Sequence, residues 1–214
     1  MIIIPSILTG KLDEFESLMQ VARSSKGIHI DFIDGVYADN TTITPTEIDL
    51  TKYDNRFFDA HVQVASDSLD NWVEESINAG FDRIITQYES INQFEKYLAT
   101  IAQAGKIAGI AFDLNTDIPT NTNIYKNIQT VLVMSVKAGF GGQKFDNLAL
   151  NKISSLAKIR KENNLNFSIG VDGGVNEDNI RNIFQAGADE VVIGRRLLKG
   201  DFNANILKYE KALI

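Results

Sequence analysis

A single (β/α)₈ barrel filling residues 1–214 is the fold this sequence predicts, and three observations predict it. Short β-branched runs alternate with longer amphipathic stretches along the whole chain, eight times in all. Three of the amphipathic stretches end in Ala-Gly just before the next apolar run, at Ala79-Gly80, Ala104-Gly105 and Ala186-Gly187. The length of 214 residues suits one barrel without a second domain. An open doubly wound sheet is the rival, because alternation alone does not decide closure. The first strand-to-helix junction, Pro5-Ser-Ile-Leu-Thr-Gly10, carries no GxGxxG dinucleotide fingerprint, so the barrel is preferred.

The elements are expected in this order. A strand over residues 2–4 (Ile-Ile-Ile) leads to a helix over 12–22, and a strand over 28–32 follows. The next link holds only a short helical candidate, 45–50, before a strand over 57–62 and a helix over 68–79. A strand over 83–86, a helix over 91–104 and a strand over 107–111 come next. A helix over 119–127 then precedes a strand over 130–134 and a helix over 149–162. The chain ends with a strand over 168–171, a helix over 177–186, a strand over 190–193 and a helix over 203–213. Glycine after a helix takes the left-handed conformation that stops it and turns the chain inward.

Composition narrows the function. With 44% hydrophobic and 23% charged residues, the chain is of ordinary globular type. Its 21 basic and 28 acidic residues give a net charge of −7, which argues against nucleic acid or an anionic membrane as partner. There is no cysteine, so disulfides, thiolate metal sites and a cysteine nucleophile are excluded. The apolar start lacks a basic region and is broken by Pro5, and no apolar run approaches the roughly 18 residues of a membrane helix. A cytosolic location is expected.

Two groups of residues carry chemistry. In the second strand a period of two puts His29 and Asp31 on one face, with Ile28, Ile30 and Phe32 on the other. By the same argument Asp59 and His61 share a face of the third strand, and Asp172 lies opposite Ile169 and Val171 in the seventh. The apolar faces must meet the helices, so the polar ones line the barrel mouth, where such folds place catalysis. A lone inward histidine reads as a hydrogen-bonded core residue. Two of them with two acids on one rim could make an N₂O₂ site for one divalent metal ion. Zinc suits these donors best, with iron(II), manganese and cobalt as competitors. Asp59 reads as a second partner or, preferably, a buried structural acid, and Asp34 as a turn residue.

The other group is rich in glycine. Gly139-Phe-Gly-Gly-Gln143 follows the sixth strand, Gly173-Gly174 the seventh and Gly194-Arg195 the eighth. Consecutive glycines let backbone N–H groups converge on an anion, and the ends of the last two barrel strands are a usual place for a phosphate.

These residues match a family in order and over nearly the whole chain. Pro5-Ser-Ile-Leu8, His29-Ile-Asp31 with Asp34-Gly35, Asp59-Ala-His61, Met134-Ser-Val136, Gly139-Phe-Gly-Gly-Gln143 and Val171-Asp-Gly-Gly174 resemble the motifs of the ribulose-phosphate 3-epimerases. The resemblance implies that His29, Asp31, His61 and Asp172 bind the metal. It implies that Asp31 and Asp172 form the acid–base pair on opposite faces of a phosphorylated ketose. It further implies that Ser6 touches the sugar, that Gly141, Gly142, Gly173, Gly174 and Gly194 hold the phosphate, and that the protein is a homo-oligomer. Physics agrees with such an assignment, since inverting a carbinol carbon beside a ketone requires its proton to leave from one face and return to the other.

The chain departs from the family pattern at several points. Ile33 and Gln63 replace methionines, Tyr37-Ala-Asp-Asn40 replaces a Phe-Val-Pro-Asn loop, and a histidine near Tyr88 is lost. Lys137-Ala138 stands for Asn-Pro, and Arg195 for a serine. Arg195 reads either as a charged contact to phosphate or as a solvated surface charge. The departures leave two sugars open, a ketopentose phosphate or a ketohexose 6-phosphate such as allulose 6-phosphate. A non-catalytic sugar-phosphate binder remains as a third reading, which intact Asp31 and Asp172 oppose. A barrel lyase of the DxKxxD type is disfavoured because His29-Ile-Asp-Phe-Ile-Asp34 contains no lysine.

Overall fold

The computed structural model describes residues 1–53 and 55–214. Among them, eight parallel strands close into a barrel in simple sequential order: β1 (Ile2–Ile7), β2 (Gly27–Ile33), β3 (Phe57–Gln63), β4 (Arg83–Gln87), β5 (Ile107–Phe112), β6 (Thr130–Met134), β7 (Ser168–Asp172) and β8 (Glu190–Ile193). β1 closes the ring on β8 through the pairs Ile2–Glu190 to Pro5–Ile193. The helices α1 (Leu12–Val21), α2 (Leu69–Ala79), α3 (Phe94–Gln103), α4 (Leu148–Glu162), α5 (Ile180–Ala186), α6 (Arg195–Leu198) and α7 (Phe202–Leu213) lie between and after the strands.

Strand alternation builds two cores. Ile28, Ile30, Phe32, Phe58, Ala60, Val62, Ile84, Ile110, Val131, Val133, Ile169, Val171 and Val191 face outward and pack with Phe15, Met19, Val73, Ile101, Ile153, Leu156 and Ile183 of the helices. A smaller apolar group, Ile85, Ala111, Leu132, Met134 and Val192, fills the barrel interior. The helix stops expected after α2 and α5 are present: Gly80 and Gly187 cap them with left-handed φ of 97° and 112°.

Several elements differ from the sequence expectation, each for a local reason. β1 runs on through Pro5 to Ile7, which brings Ser6 into the sheet opposite His29. The expected helix over 119–127 is a short 3₁₀ turn, Thr122–Tyr125, where the Asn121 side chain accepts from the Asn123 amide. That stretch is Thr- and Asn-rich, and such side chains compete for backbone hydrogen bonds. The segment after β2 holds two 3₁₀ turns, Pro45–Glu47 and Leu50–Lys52, in place of one helix. α6 was not expected.

Below the interior apolar group lies a buried charged layer. Arg83 donates to both carboxylate oxygens of Asp59, at 2.8 and 2.6 Å, and to Glu190 Oε1 and Thr130 Oγ1, each at 2.8 Å. All four side chains are buried. Among the described residues, no helix is long and apolar enough to cross a membrane.

Candidate active site

The two ladders β1–β2 and β2–β3 put Ser6 beside His29, His29 beside Asp59 and Asp31 beside His61. β7 brings Asp172 to the same end from beyond β8. One ligand atom from each of His29, Asp31, His61 and Asp172 lies within 4.8 Å of the others. His61 Nδ1 is 2.9 Å from Asp31 Oδ1 and 3.8 Å from Asp172 Oδ2, and His29 Nε2 is 3.6 Å from Asp31 Oδ1. Four donors around one ion at bond lengths of about 2.1 Å stand roughly 3.4 Å apart, so these separations fit. His29 Nε2 is buried with no hydrogen-bond partner among the described residues. A lone nitrogen aimed into a carboxylate cluster is what a metal ligand looks like in a structure of protein atoms alone.

The partners of these four side chains support the same reading. His29 Nδ1 lies 3.3 Å from Asp59 Oδ2, and Asp59 is itself gripped by Arg83, so Asp59 holds a proton on Nδ1 and leaves Nε2 as the atom an ion would take in place of a proton. Asp59 is therefore both of the things the sequence suggested, a buried acid of the charged layer and the partner of His29. Gln63, which replaces an apolar residue of the family pattern, is buried and donates to Asp31 Oδ1 at 3.1 Å. Asp34 is a turn residue as expected: its Oδ1 accepts from the Val36 and Tyr37 amides.

The electrostatics separate the two acids. Burial pushes the Asp172 carboxyl up, the Asp31 charge adds to it, and the group reaches about 7. Burial also opposes ionisation of Asp31, but the adjacent His29 and His61 rings overcome it and hold that carboxyl well below the usual range. Burial alone would depress His29, yet Asp31 and Asp59 together raise it to about 10. His61 is pushed down, chiefly by burial, against the pull of Asp31.

The glycine-rich loops converge beside this cluster. Gly141 and Gly142 follow β6, Gly173 and Gly174 follow β7, and Gly194 follows β8. A methyl on Gly174 would stand 2.2 Å from the Phe145 backbone nitrogen, so only glycine lets the two loops touch there. Ser6 Oγ would be 3.0 Å from a methyl on Gly194, which places Ser6 between the His29 cluster and the loop after β8. Arg195, exposed at the start of α6, folds its guanidinium over the Gly141-Gly142 turn and donates to the Gly141 carbonyl. Sequence reasoning missed Gln87, the last residue of β4, whose amide lies 3.3 Å from His61 Nε2. Its signal was the alternation Arg83, Ile85, Gln87 along the strand.

Above the mouth, the loop after β2 crosses the barrel. Tyr37 donates to Asp113 after β5 at 2.5 Å, and Asn40 donates to the Gly139 carbonyl after β6 at 2.6 Å. The Tyr37–Asn40 departure from the family pattern therefore sits in a bridge over the cluster.

Comparison with known proteins agrees with this geometry. Residues 2–198 match the profile of the Ribulose-phosphate 3 epimerase family. The chain is 31% identical to the chloroplastic ribulose-5-phosphate-3-epimerase of Arabidopsis thaliana over 99% of its own length and 76% of that protein's. It is 29% identical to the ribulose-phosphate 3-epimerase of Mycobacterium tuberculosis over 94% of its length and 87% of the relative's. Among solved structures, 3-hexulose-6-phosphate synthase from Salmonella typhimurium superposes with a TM-score of 0.74 at 15% identity, covering 100% of this chain and 98% of that one. That likeness concerns the fold.

Proposed function

The chain belongs to the ribulose-phosphate 3-epimerase family, and on that premise we propose that it interconverts D-ribulose 5-phosphate and D-xylulose 5-phosphate by proton transfer at C3. The observation that carries the reading is the convergence of His29, Asp31, His61 and Asp172 from three strands on one point. The donor set and the free His29 Nε2 suit a divalent ion, zinc first and iron(II), manganese or cobalt next. An ion held there would supply Lewis-acid stabilisation of the negative charge that develops on the substrate oxygens.

The protein's own residues do the rest. Asp31 and Asp172 reach the mouth from β2 and β7, so that one removes the C3 proton and the other returns it to the opposite face. Gly141, Gly142, Gly173, Gly174 and Gly194 hold the phosphate away from the reacting carbon, and Ser6 contacts the sugar between the two ends. The bridge from Tyr37 to Asp113 limits access of water. We place the enzyme in the cytosol as a homo-oligomer.

Incubating the purified, metal-replete enzyme with ribulose 5-phosphate in D₂O tests the reaction. Deuterium entering C3 as xylulose 5-phosphate forms is the expected result. Exchange confined to allulose 6-phosphate would move the assignment to ketohexose phosphates, and none on either sugar would leave a binder.

Metal removal has a second readout. A ligand at one hundred times its Kd stabilises the folded state by about 2.7 kcal/mol, which is about 5–10 °C in Tm for a chain of this size. Calorimetry with zinc and with a chelator should show that gap. Equal melting curves would count against the metal.

Arg195 adds a charge at the phosphate end, directly over the Gly141-Gly142 turn. Its guanidinium has further donors beyond the one given to Gly141. Losing a charge-assisted contact costs about 1.5–3 kcal/mol, so Arg195→Ser is expected to raise KM by roughly 10- to 100-fold with kcat nearly unchanged. An unaltered KM would return Arg195 to the solvated surface.

A further inference from the structure

Two buried amides lie against the four clustered side chains, Gln63 on β3 and Gln87 on β4, and the second is unfinished. Gln87 is fully buried at the end of β4, and its Nε2 lies 3.3 Å from His61 Nε2. Its Oε1 is buried with no hydrogen-bond partner among the described residues. Two nitrogens face to face allow one arrangement only: the amide donates and the imidazole Nε2 accepts. The His61 proton must then sit on Nδ1, where it is given to Asp31 Oδ1 at 2.9 Å.

That arrangement blocks the wrong atom. Nδ1 is the nitrogen of His61 that faces both Asp31 and Asp172, so it is the one available to an ion. A histidine bound to metal through Nδ1 carries its proton on Nε2 and needs an acceptor there. The neighbouring His29 has its acceptor permanently, because Asp59 can only accept while Arg83 holds it. Gln87 differs in offering either a donor or an acceptor from nearly the same place. No partner among the described residues holds its Oε1, so turning the amide over breaks no hydrogen bond but the one to His61.

We propose that Gln87 is a positioning residue whose side-chain amide turns over when His61 becomes a metal ligand, so that Oε1 accepts the Nε2–H proton and leaves Nδ1 free. The inference rests on the metal reading given above and adds to it the residue that selects the His61 tautomer. In the metal-free protein the amide donates and His61 is held by Asp31. With metal bound, the amide accepts and Asp31 and His61 both turn their lone pairs to the ion.

The test combines zinc affinity with imidazole nitrogen NMR on the full chain. With only two histidines in the protein, the ring nitrogens of His61 can be followed directly. Wild type is expected to carry the His61 proton on Nδ1 without zinc and on Nε2 with it. Gln87→Leu removes the acceptor and should weaken zinc binding about 10- to 100-fold, measured against a competing chromophoric chelator. Gln87→Glu keeps an acceptor and should restore the affinity. Zinc binding by Gln87→Leu equal to wild type overturns the proposal, as does a Gln87→Glu variant as weak as Gln87→Leu, since packing rather than hydrogen bonding would then be at stake. The same His61 tautomer with and without zinc overturns it too, and that measurement needs no variant to fold. A wild type that binds no zinc would instead sink the metal reading itself, and this inference with it.

Discussion

Asp172→Asn and Asp31→Asn are each expected to lower the rate of 3-epimerisation by about 10²- to 10⁴-fold, the range for loss of one general acid or base. The two losses should differ in kind. Epimerisation needs a group on each face of C3, whereas exchange of the C3 proton with solvent needs only one. With Asp172 neutralised, Asp31 can still withdraw and return a proton on its own face, so deuterium enters one epimer without inversion. With Asp31 neutralised, the exchange should move to the other epimer. Both side chains also sit in the donor cluster, where His61 Nδ1 approaches each of them. The comparison must therefore be made at saturating metal, with metal content measured on each variant. NMR of the C3 position in D₂O reads exchange and inversion together. Exchange of the same epimer by both variants would put the two carboxylates on one face and remove the two-base mechanism; near-wild-type epimerisation by either would remove its acid–base role.

Much of this site could be read from the chain because it rests on strand alternation, which is a local rule. His29 and Asp31 had to share a face once residues 28–32 formed a strand, and so did Asp59 and His61. Barrel closure then brought β7 round to them, and closure was favoured by the eight-fold count rather than dictated by any one segment. What alternation could not supply was depth. Asp59 and His61 point the same way, yet a step of two residues separates a buried acid clamped by Arg83 from a member of the donor cluster at the mouth. Partners set by register between distant strands were illegible for the same reason. Arg83 meets Glu190 across 107 residues, and Gln87 meets His61 across the β3–β4 ladder. Failures of element type arose where polar side chains competed with the backbone, as at the Thr122–Tyr125 turn. β1 runs on past Pro5 because Ser6 and Ile7 pair with His29 and Ile30 of β2.

The charged layer beneath the site carries the largest expected effect on stability. Arg83 makes four hydrogen bonds there, to Asp59, Glu190 and Thr130, and its side chain is 7% exposed. Replacing it with methionine leaves two buried carboxylates without their cation, and breaking a buried pair in this way costs about 3–5 kcal/mol. For a chain of this length that is a fall of about 6–20 °C in Tm. The deficit should depend on pH with a definite sign. Burial already pushes the Glu190 carboxyl up, against the opposing charge of Arg83. Without Arg83 its folded value rises further above the unfolded one, so the folded state binds protons that the unfolded chain releases. Stability then falls as pH rises between those two values, and the variant should be closer to wild type at pH 5.5 than at pH 8. Adding Glu190→Gln to Arg83→Met removes one stranded charge and should recover part of the loss. Urea unfolding of wild type, single and double variants at both pH values decides the matter. A small, pH-independent loss in Arg83→Met would mean that water reaches the layer and the ion pairs contribute little. A large loss that the second substitution repairs would show that the charge left behind, and not the missing side-chain volume, is what the barrel cannot tolerate.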